Sequence, residues 1–349
     1  MSNWYATREA VKIAAGISGT DKNAVIDRAI AATSRMIDRL CDTWFIPITE
    51  TRRYPWPQRD NPHGAVLMLD APLLSATPTI TKDGTDATAI ASTDFFVEPI
   101  NQPPYWRIEI DLASSAFFSA KDTHQQAIAV TGSWGESDDT VTGGTVTSGL
   151  ASDAGALSFV CSNAALIGVG NTLLIGSEQL FVSEKTTYDT TADLNDTLTA
   201  DVSDVLVTTT DGTKFSVGEI VLFDAERMRI TDISGNNLTV ERAYDGTVLA
   251  AHSTGISAYT YRTLTVERGV NGTTAATHAN STAVSIYQPG EDVEEVCIDW
   301  VLSTLAGQSS HWTGQIGGAD AAQETTMVAI RGRLDQLKRQ HRRYPIGAV

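Results

Sequence analysis

Leu238-Thr239-Val240-Glu241-Arg242, followed by Gly246-Thr247, Ala250, His252 and Tyr261, returns 26 residues later as Leu264-Thr265-Val266-Glu267-Arg268, followed by Gly272-Thr273, Ala276, His278 and Tyr287. Agreement at so many fixed spacings marks an internal repeat. A second echo lies upstream, where Val169-Gly170, Leu174, Glu178 and Val182 correspond to Val217-Gly218, Leu222, Glu226 and Ile230 at an offset of 48. The two offsets differ. A continuous unit runs only once, from about Lys214 to Tyr261: a Val-Gly and Glu half, the turn Ser234-Gly235-Asn236-Asn237, then the Leu-Thr-Val-Glu-Arg half. The other copy is split, its first half ending near Ser183 and its second beginning near Thr263. This predicts an outer β-unit over 155–185 and 262–288 with an inner β-unit, 186–261, nested in it. A tandem array with degenerate halves is the alternative, since such repeats usually stack in order. Glu178, Glu226, Glu241, Arg242, His252, Glu267, Arg268 and His278 recur in the copies. Such residues are expected to serve the module's own packing and turns rather than a ligand.

Helical periodicity flanks the repeat. Ile26, Ile30, Thr33, Ile37, Leu40 and Trp44 fall at steps of three and four and predict a helix over 22–44, with Asp21 as N-cap and Pro47 as stop. A shorter helix over 7–15 would end at Gly16, and Ser18-Gly19-Thr20 would turn the chain between the two. Ile26, Ile30, Ile37, Leu40 and Trp44 are assigned to a core or inter-subunit helix face. After Pro289 a third helix, 291–306, begins with acidic residues, which the helix dipole favours there. A last helix, 322–343, carries apolar Met327, Ile330, Leu334 and Leu337 and, on its other faces, Arg331, Arg333, Lys338, Arg339, Arg342 and Arg343. Between the helices and the repeat lie short strand runs, among them Val66–Leu69, Thr79–Thr81, Phe95–Val97, Trp106–Ile110 and Ala127–Val130, with Asp83-Gly84 as a turn. A Ser, Asp, Thr and Gly stretch over 137–154 reads as a linker. The expected fold is therefore α+β: a helical core over 1–136 and 289–349 with short strands, interrupted by a large all-β insertion of two related units.

Composition bounds the function. The 349 residues suffice for two or three domains, and 42 acidic against 25 basic residues give a net charge of -17. That balance argues against the whole molecule gripping nucleic acid. No apolar run is long enough to span a membrane. Met1 to Lys12 holds no apolar signal core, which points to a cytoplasm-like compartment. Cys41, Cys161 and Cys297 are odd in number and widely separated, the pattern of buried free thiols rather than of disulfides or zinc. Gly269 to Thr274 lacks the Gly-Lys-Ser/Thr ending of a phosphate loop. His63, His124 and His311 have no metal-ligand spacing. Gly132-Ser133-Trp134-Gly135 lacks the spacing of a nucleophile elbow. The acidic run Asp193, Asp196, Asp201, Asp204 lacks the ligand spacing of a calcium loop. No catalytic residue, metal or cofactor is assigned, and the chain is expected not to be an enzyme. The basic C-terminal stretch stands apart: six of the 25 basic residues fall in the last 19 positions, a pattern suited to docking on an acidic surface.

The order of these features resembles the head-to-tail adaptor (connector) proteins of tailed bacteriophages. The resemblance rests on Thr7-Arg8-Glu9-Ala10-Val11, the helix to Trp44, Thr51-Arg52-Arg53-Tyr54 and Leu67 to Leu74. It continues through Asp83-Gly84, Phe95-Phe96-Val97-Glu98-Pro99 with Asn101, Pro104-Tyr105-Trp106, Val130-Thr131-Gly132-Ser133-Trp134-Gly135 and the C-terminal helical segment. It covers about 5–136 and 290–349; the double insertion between Gly135 and Pro289 departs from it. The resemblance implies a homo-oligomeric ring, usually of twelve copies, beneath the portal protein, with the tail or next neck protein on its far face. It also implies that DNA passes the lumen without specific binding, and that the subunit is made in the host bacterial cytoplasm and ends in the virion. By position, Arg331 to Arg343 would form the portal-docking helix, with Leu334 and Leu337 as apolar anchors. The competing expectation is a binding module whose β-units recognise a host-surface glycan or decorate the virion. Tyr244, Tyr259 and Tyr261 speak for it, and the absence of clustered Trp from 140–290 speaks against it.

Overall fold

The computed structural model describes residues 3–58, 64–121, 123–151, 153–313 and 330–339. Thr7 caps α1 (Arg8–Ala15) by accepting the Ala10 amide N–H at 3.1 Å, and Gly16 ends it in the left-handed conformation. In α2 (Asn23–Cys41) the N-cap position is Lys22 rather than Asp21, no side chain caps it, and Asp42 stops the helix at φ 56°. α3 (Glu291–Thr313) runs past the expected end near 306, and α4 covers 330–339. The four helices share one core. Val11, Ile26, Ile30 and Ile37 meet Val293, Val296, Cys297 and Val301 of α3 and Ile330, Leu334 and Leu337 of α4. Tyr5 is buried there too; its hydroxyl donates to Asp38 and accepts the Phe45 amide N–H, pinning the N-terminus across α2.

A second core belongs to β1 (Ile48–Tyr54), β2 (Val66–Leu73), β3 (Thr79–Lys82), β4 (Thr88–Ile90), β5 (Phe95–Glu98), β6 (Tyr105–Ile110) and β7 (Ile128–Trp134). They pair antiparallel in the order β4-β3-β7-β2-β6-β5, with β1 also on β7. β1 lines one edge of β7 along its whole length, so β3 and the end of β2 share the other edge. The barrel-like sheet encloses Leu67, Leu73, Ile80, Ile108, Ile128, Val130 and Trp134.

The repeat folds as β8 (Thr140–Ser148), β9 (Ser158–Cys161), β10 (Thr172–Ile175), β11 (Glu178–Asp193), β12 (Leu206–Thr208), β13 (Ile220–Phe223), β14 (Glu226–Ser234), β15 (Asn237–Glu241), β16 (Ser257–Glu267) and β17 (Ala283–Tyr287). Two strands are long, and each serves two barrels. The first barrel closes through β11-β10-β17-β8-β9-β16 and back to β11. The second runs from the start of β16 through β13, β14, β15 and β12, and closes onto the end of β11 by the Leu194–Thr209 bridge. The passages between the barrels lie side by side, since Thr186 pairs with Thr263 and Tyr188 with Thr260. Registers agree as well as residues. Leu173 faces Leu180 as Val221 faces Met228, Val182 faces Val266 as Ile230 faces Val240, and a bulge follows the latter pair in both copies.

This overturns the expected fold class. Among the described residues the chain is mostly β, with seventeen strands in two barrel-like sheets against four helices, and is not a helical core carrying a β insertion. The runs over 49–134 read as accessories of the helices because each is short, yet together they bury a core of their own. The 137–154 linker is overturned likewise. Thr and Gly there belong to β8, which pairs with β17 and β9 and packs Val146 inward.

One short turn in each copy, Tyr244–Gly246 and Val270–Gly272, touches the rest of the chain, beside Val169, which bonds to Arg8 and Glu9 of α1, and Gln179, which donates to the Pro47 carbonyl. Gly272, at φ 80°, lies so close to β1 that a Cβ would fall 2.0 Å from the Thr49 carbonyl oxygen. Gly235, at φ 61°, has open space around it. Gly235→Ala should therefore cost about 1–2 kcal/mol, the left-handed penalty alone, and Gly272→Ala clearly more, as measured by chemical denaturation.

Candidate functional site

One repeated Glu, Arg and His converge in each barrel. Glu226, Arg242 and His252 of the second barrel have fully buried side chains. The Arg242 guanidinium grips the carboxylate with Nε to Oε1 at 2.8 Å and Nη2 to Oε2 at 2.9 Å. The Ala243 and Ala250 amides donate to the same two oxygens at 2.9 and 3.0 Å, and His252 Nε2 lies 3.0 Å from Oε2. Arg242 also donates to the carbonyls of Asp204 and Ala250. The first barrel repeats this atom for atom. Glu178 receives Arg268 Nε and Nη2 at 2.6 and 2.8 Å, the Gly269 and Ala276 amides at 3.0 Å, and His278 Nε2 at 2.8 Å. The copies differ behind the histidine. His252 Nδ1 meets Asp224 at 2.9 Å, whereas the position equivalent to Asp224 is Gly176, beside the His278 ring.

Five donors use up the lone pairs of each carboxylate, about four in number. Burial alone would raise the Glu226 pKa. Hydrogen bonds from Arg242, Ala250, His252 and Ala243 outweigh it and bring the group down from 4.5 to about 2. Glu178 is lowered in the same way, with Arg268 the foremost opposing donor to burial. Glu241 and Glu267, also repeated, are exposed and stand outside both clusters. The arrangement ties the loop after the Leu-Thr-Val-Glu-Arg strand to the hairpin that carries the glutamate.

That loop carries the docking turn. Asp245, at its tip, accepts Lys12 of α1 at 2.6 Å and Arg227 at 2.6 Å, while its carbonyl accepts the Gly19 amide. Its equivalent is Asn271, which donates to Asn3 Oδ1 at 2.6 Å and to Gln179 Oε1 at 2.7 Å. Arg227 and Gln179 are themselves equivalents, and the backbone amide of each donates to the threonine hydroxyl oxygen of the turn, Thr247 or Thr273. One geometry thus docks by an ion pair in one barrel and by neutral amides in the other. A third join crosses between the barrels. Arg262 donates twice to Glu219 at 2.6 Å, and Glu219 also accepts the Ala164 amide of the first barrel, where half-buried Lys185 donates to the carbonyls of Ala164 and Ile167.

Identity matching between copies finds the carboxylate cluster and misses the docking turn, because Asp245/Asn271 and Arg227/Gln179 differ in type. The offsets of 26 and 48 still link them, so the signal was positional. The helix-face residues fall in the chain's own cores: Ile26, Ile30 and Ile37 are fully buried, Leu40 packs against the helical core, and Trp44 against the first barrel-like sheet. Leu334 and Leu337, expected as apolar anchors of a docking helix, are buried against the other helices. Arg331 and Arg339 are exposed, Lys338 is half-buried, and Arg333 pairs with Asp299 at 2.6 Å. Arg342 and Arg343 lie outside the described residues. Cys41, Cys161 and Cys297 are free thiols and buried. No protein-family profile matches the chain, and comparison with curated proteins and with solved structures finds no match.

Removing one partner of a buried pair costs about 3–5 kcal/mol. Glu226→Ala and Glu178→Ala should each lose that much in denaturant titrations. Because the folded-state pKa of Glu226 is depressed, its contribution is complete above pH 4.5 and drains away as pH falls towards about 2. Glu226→Gln should flatten that acid limb of the melting temperature against pH.

Proposed function

We propose that the chain is a structural subunit of a bacteriophage virion, an adaptor that forms a ring on the portal and offers its far face to the tail or next neck protein. The observation that carries this reading is where the buried charge goes. Glu178, Glu226, Glu219 and Asp245 each bind an Arg or Lys of the same chain, and each pair fastens a turn, a barrel or a helix to its neighbour. Such chemistry holds a shape. The sequence resemblance over 5–136 and 290–349 supplies the kind of assembly, and the acidic balance suits a lumen along which DNA slides without sticking. Repetition round a ring multiplies weak contacts into firm attachment.

The burial of Leu334 and Leu337 changes the docking surface first expected of α4. What remains on offer there is charge, Arg331 and Arg339, rather than an apolar ridge. Negative-stain imaging of the full chain mixed with the portal of its own phage tests the reading. A ring seated on the portal is the expected result, and a chain that stays unassociated at low salt overturns it. Arg331→Glu with Arg339→Glu, both at exposed positions, should leave the melting temperature unchanged and weaken portal attachment at least tenfold.

A further inference from the structure

A recess of about 240 Å³ opens where the two barrels meet, lined by Thr147 and Ser162 of the first barrel, Lys214 of the second, and Tyr188, Thr191 and Arg262 of the β11 and β16 passages between them. In a chain of net charge -17, no carboxylate lines it. Its polar groups have protons to give. Arg262 uses Nε and Nη2 on Glu219 and the Lys214 carbonyl, and its Nη1 has no acceptor among the described residues. Ser162 Oγ accepts both the amide and the hydroxyl of Thr145, so its own proton is left to donate. The surrounding acids are otherwise engaged. Glu219 is bound to Arg262, Asp211 accepts Thr213, and Asp189 accepts the Thr191 amide.

Lys214, Arg262 with its unused Nη1 and several hydroxyl residues line one concave space that no carboxylate lines, the Arg262 charge being answered by Glu219 outside it; such a donor set matches an acceptor-only oxyanion. Arg262 Nη1 has protons to give a phosphate oxygen while Nε and Nη2 stay on Glu219 and the Lys214 carbonyl. We propose that this recess binds a phosphate group, as the free dianion or as a terminal phosphate monoester, and that the bound anion ties one barrel to the other. The donors come from both sides of the junction, so occupancy stiffens the joint that Arg262 and Glu219 already hold. A duplex backbone is excluded by shape, since its phosphates sit on a rod too wide for a recess between strands. The inference stands apart from the adaptor reading and needs no portal.

The test is calorimetric titration of the full chain with inorganic phosphate at low ionic strength, with chloride added to equal ionic strength as the second arm. Phosphate should bind and should raise the melting temperature in step with its concentration, whereas chloride should do neither. Lys214→Gln changes an exposed side chain and keeps the carbonyl that Arg262 needs. It should bind phosphate about tenfold more weakly, with an unchanged melting temperature in the absence of phosphate. A short DNA duplex should not compete. No phosphate heat, equal affinity in the variant, or displacement of phosphate by the duplex would each overturn the assignment.

Discussion

Everything distinctive in this chain hangs on a carboxylate removed from water and answered by five donors. A bare glutamate inside a barrel would cost several kcal/mol, and only a close, complete set of partners offsets that. Glu178 and Glu226 meet the condition with the same five contacts. The result is directional: an Arg, two amides and a His can be placed around one carboxyl group in few ways, so the loop bearing them has one course. The docking turns at Asp245 and Asn271 inherit their positions from it, and there they meet Lys12 of α1 and Asn3 of the N-terminal segment.

Duplication therefore left two layers that behave differently. The inner layer, carboxylate and guanidinium, is the same in both copies because each barrel faces the same internal problem. The outer layer diverged because each turn faces a different neighbour. Asp245 met Lys12 and kept a charge, while Asn271 met Asn3 in a buried place and relies on amides, where a lone charge would have been expensive to bury. Asp224 against Gly176 behind the histidines belongs to the same divergence.

The sequence made the repeat legible, because Leu-Thr-Val-Glu-Arg and His sit at fixed spacings, and it made α1 and α2 legible through Thr7, Gly16 and the Ile26 to Ile37 stripe. The sheet over 48–134 was harder. Its strands are short, their inward residues come from seven separated runs, and nothing local says that Leu67, Ile108 and Val130 meet. β8 was hidden by composition: Thr and Gly pair in a ladder as well as any residues when β17 and β9 are waiting, but β17, about 140 residues further on, leaves no mark on local periodicity. The stripe of Leu334 and Leu337 was seen, but not whether it faced a partner or the chain's own helices, since amphipathicity looks alike in both cases.

The side-by-side passages of β11 and β16 also set the order of events on the ribosome. Strands β8 to the start of β11 emerge first and can close nothing, because their partners in β16 and β17 follow only after the whole second barrel. At about 5–20 residues per second that wait lasts roughly four to fifteen seconds. Meanwhile the later barrel, whose strands are near in sequence, completes itself, and its closed ends hold the two halves of β11 and β16 in register. The younger module is thus the template for the older one. Any lesion that delays it leaves an open half-barrel of Leu173, Leu180 and Val182 exposed to its neighbours, a hazard for aggregation that the finished molecule does not betray.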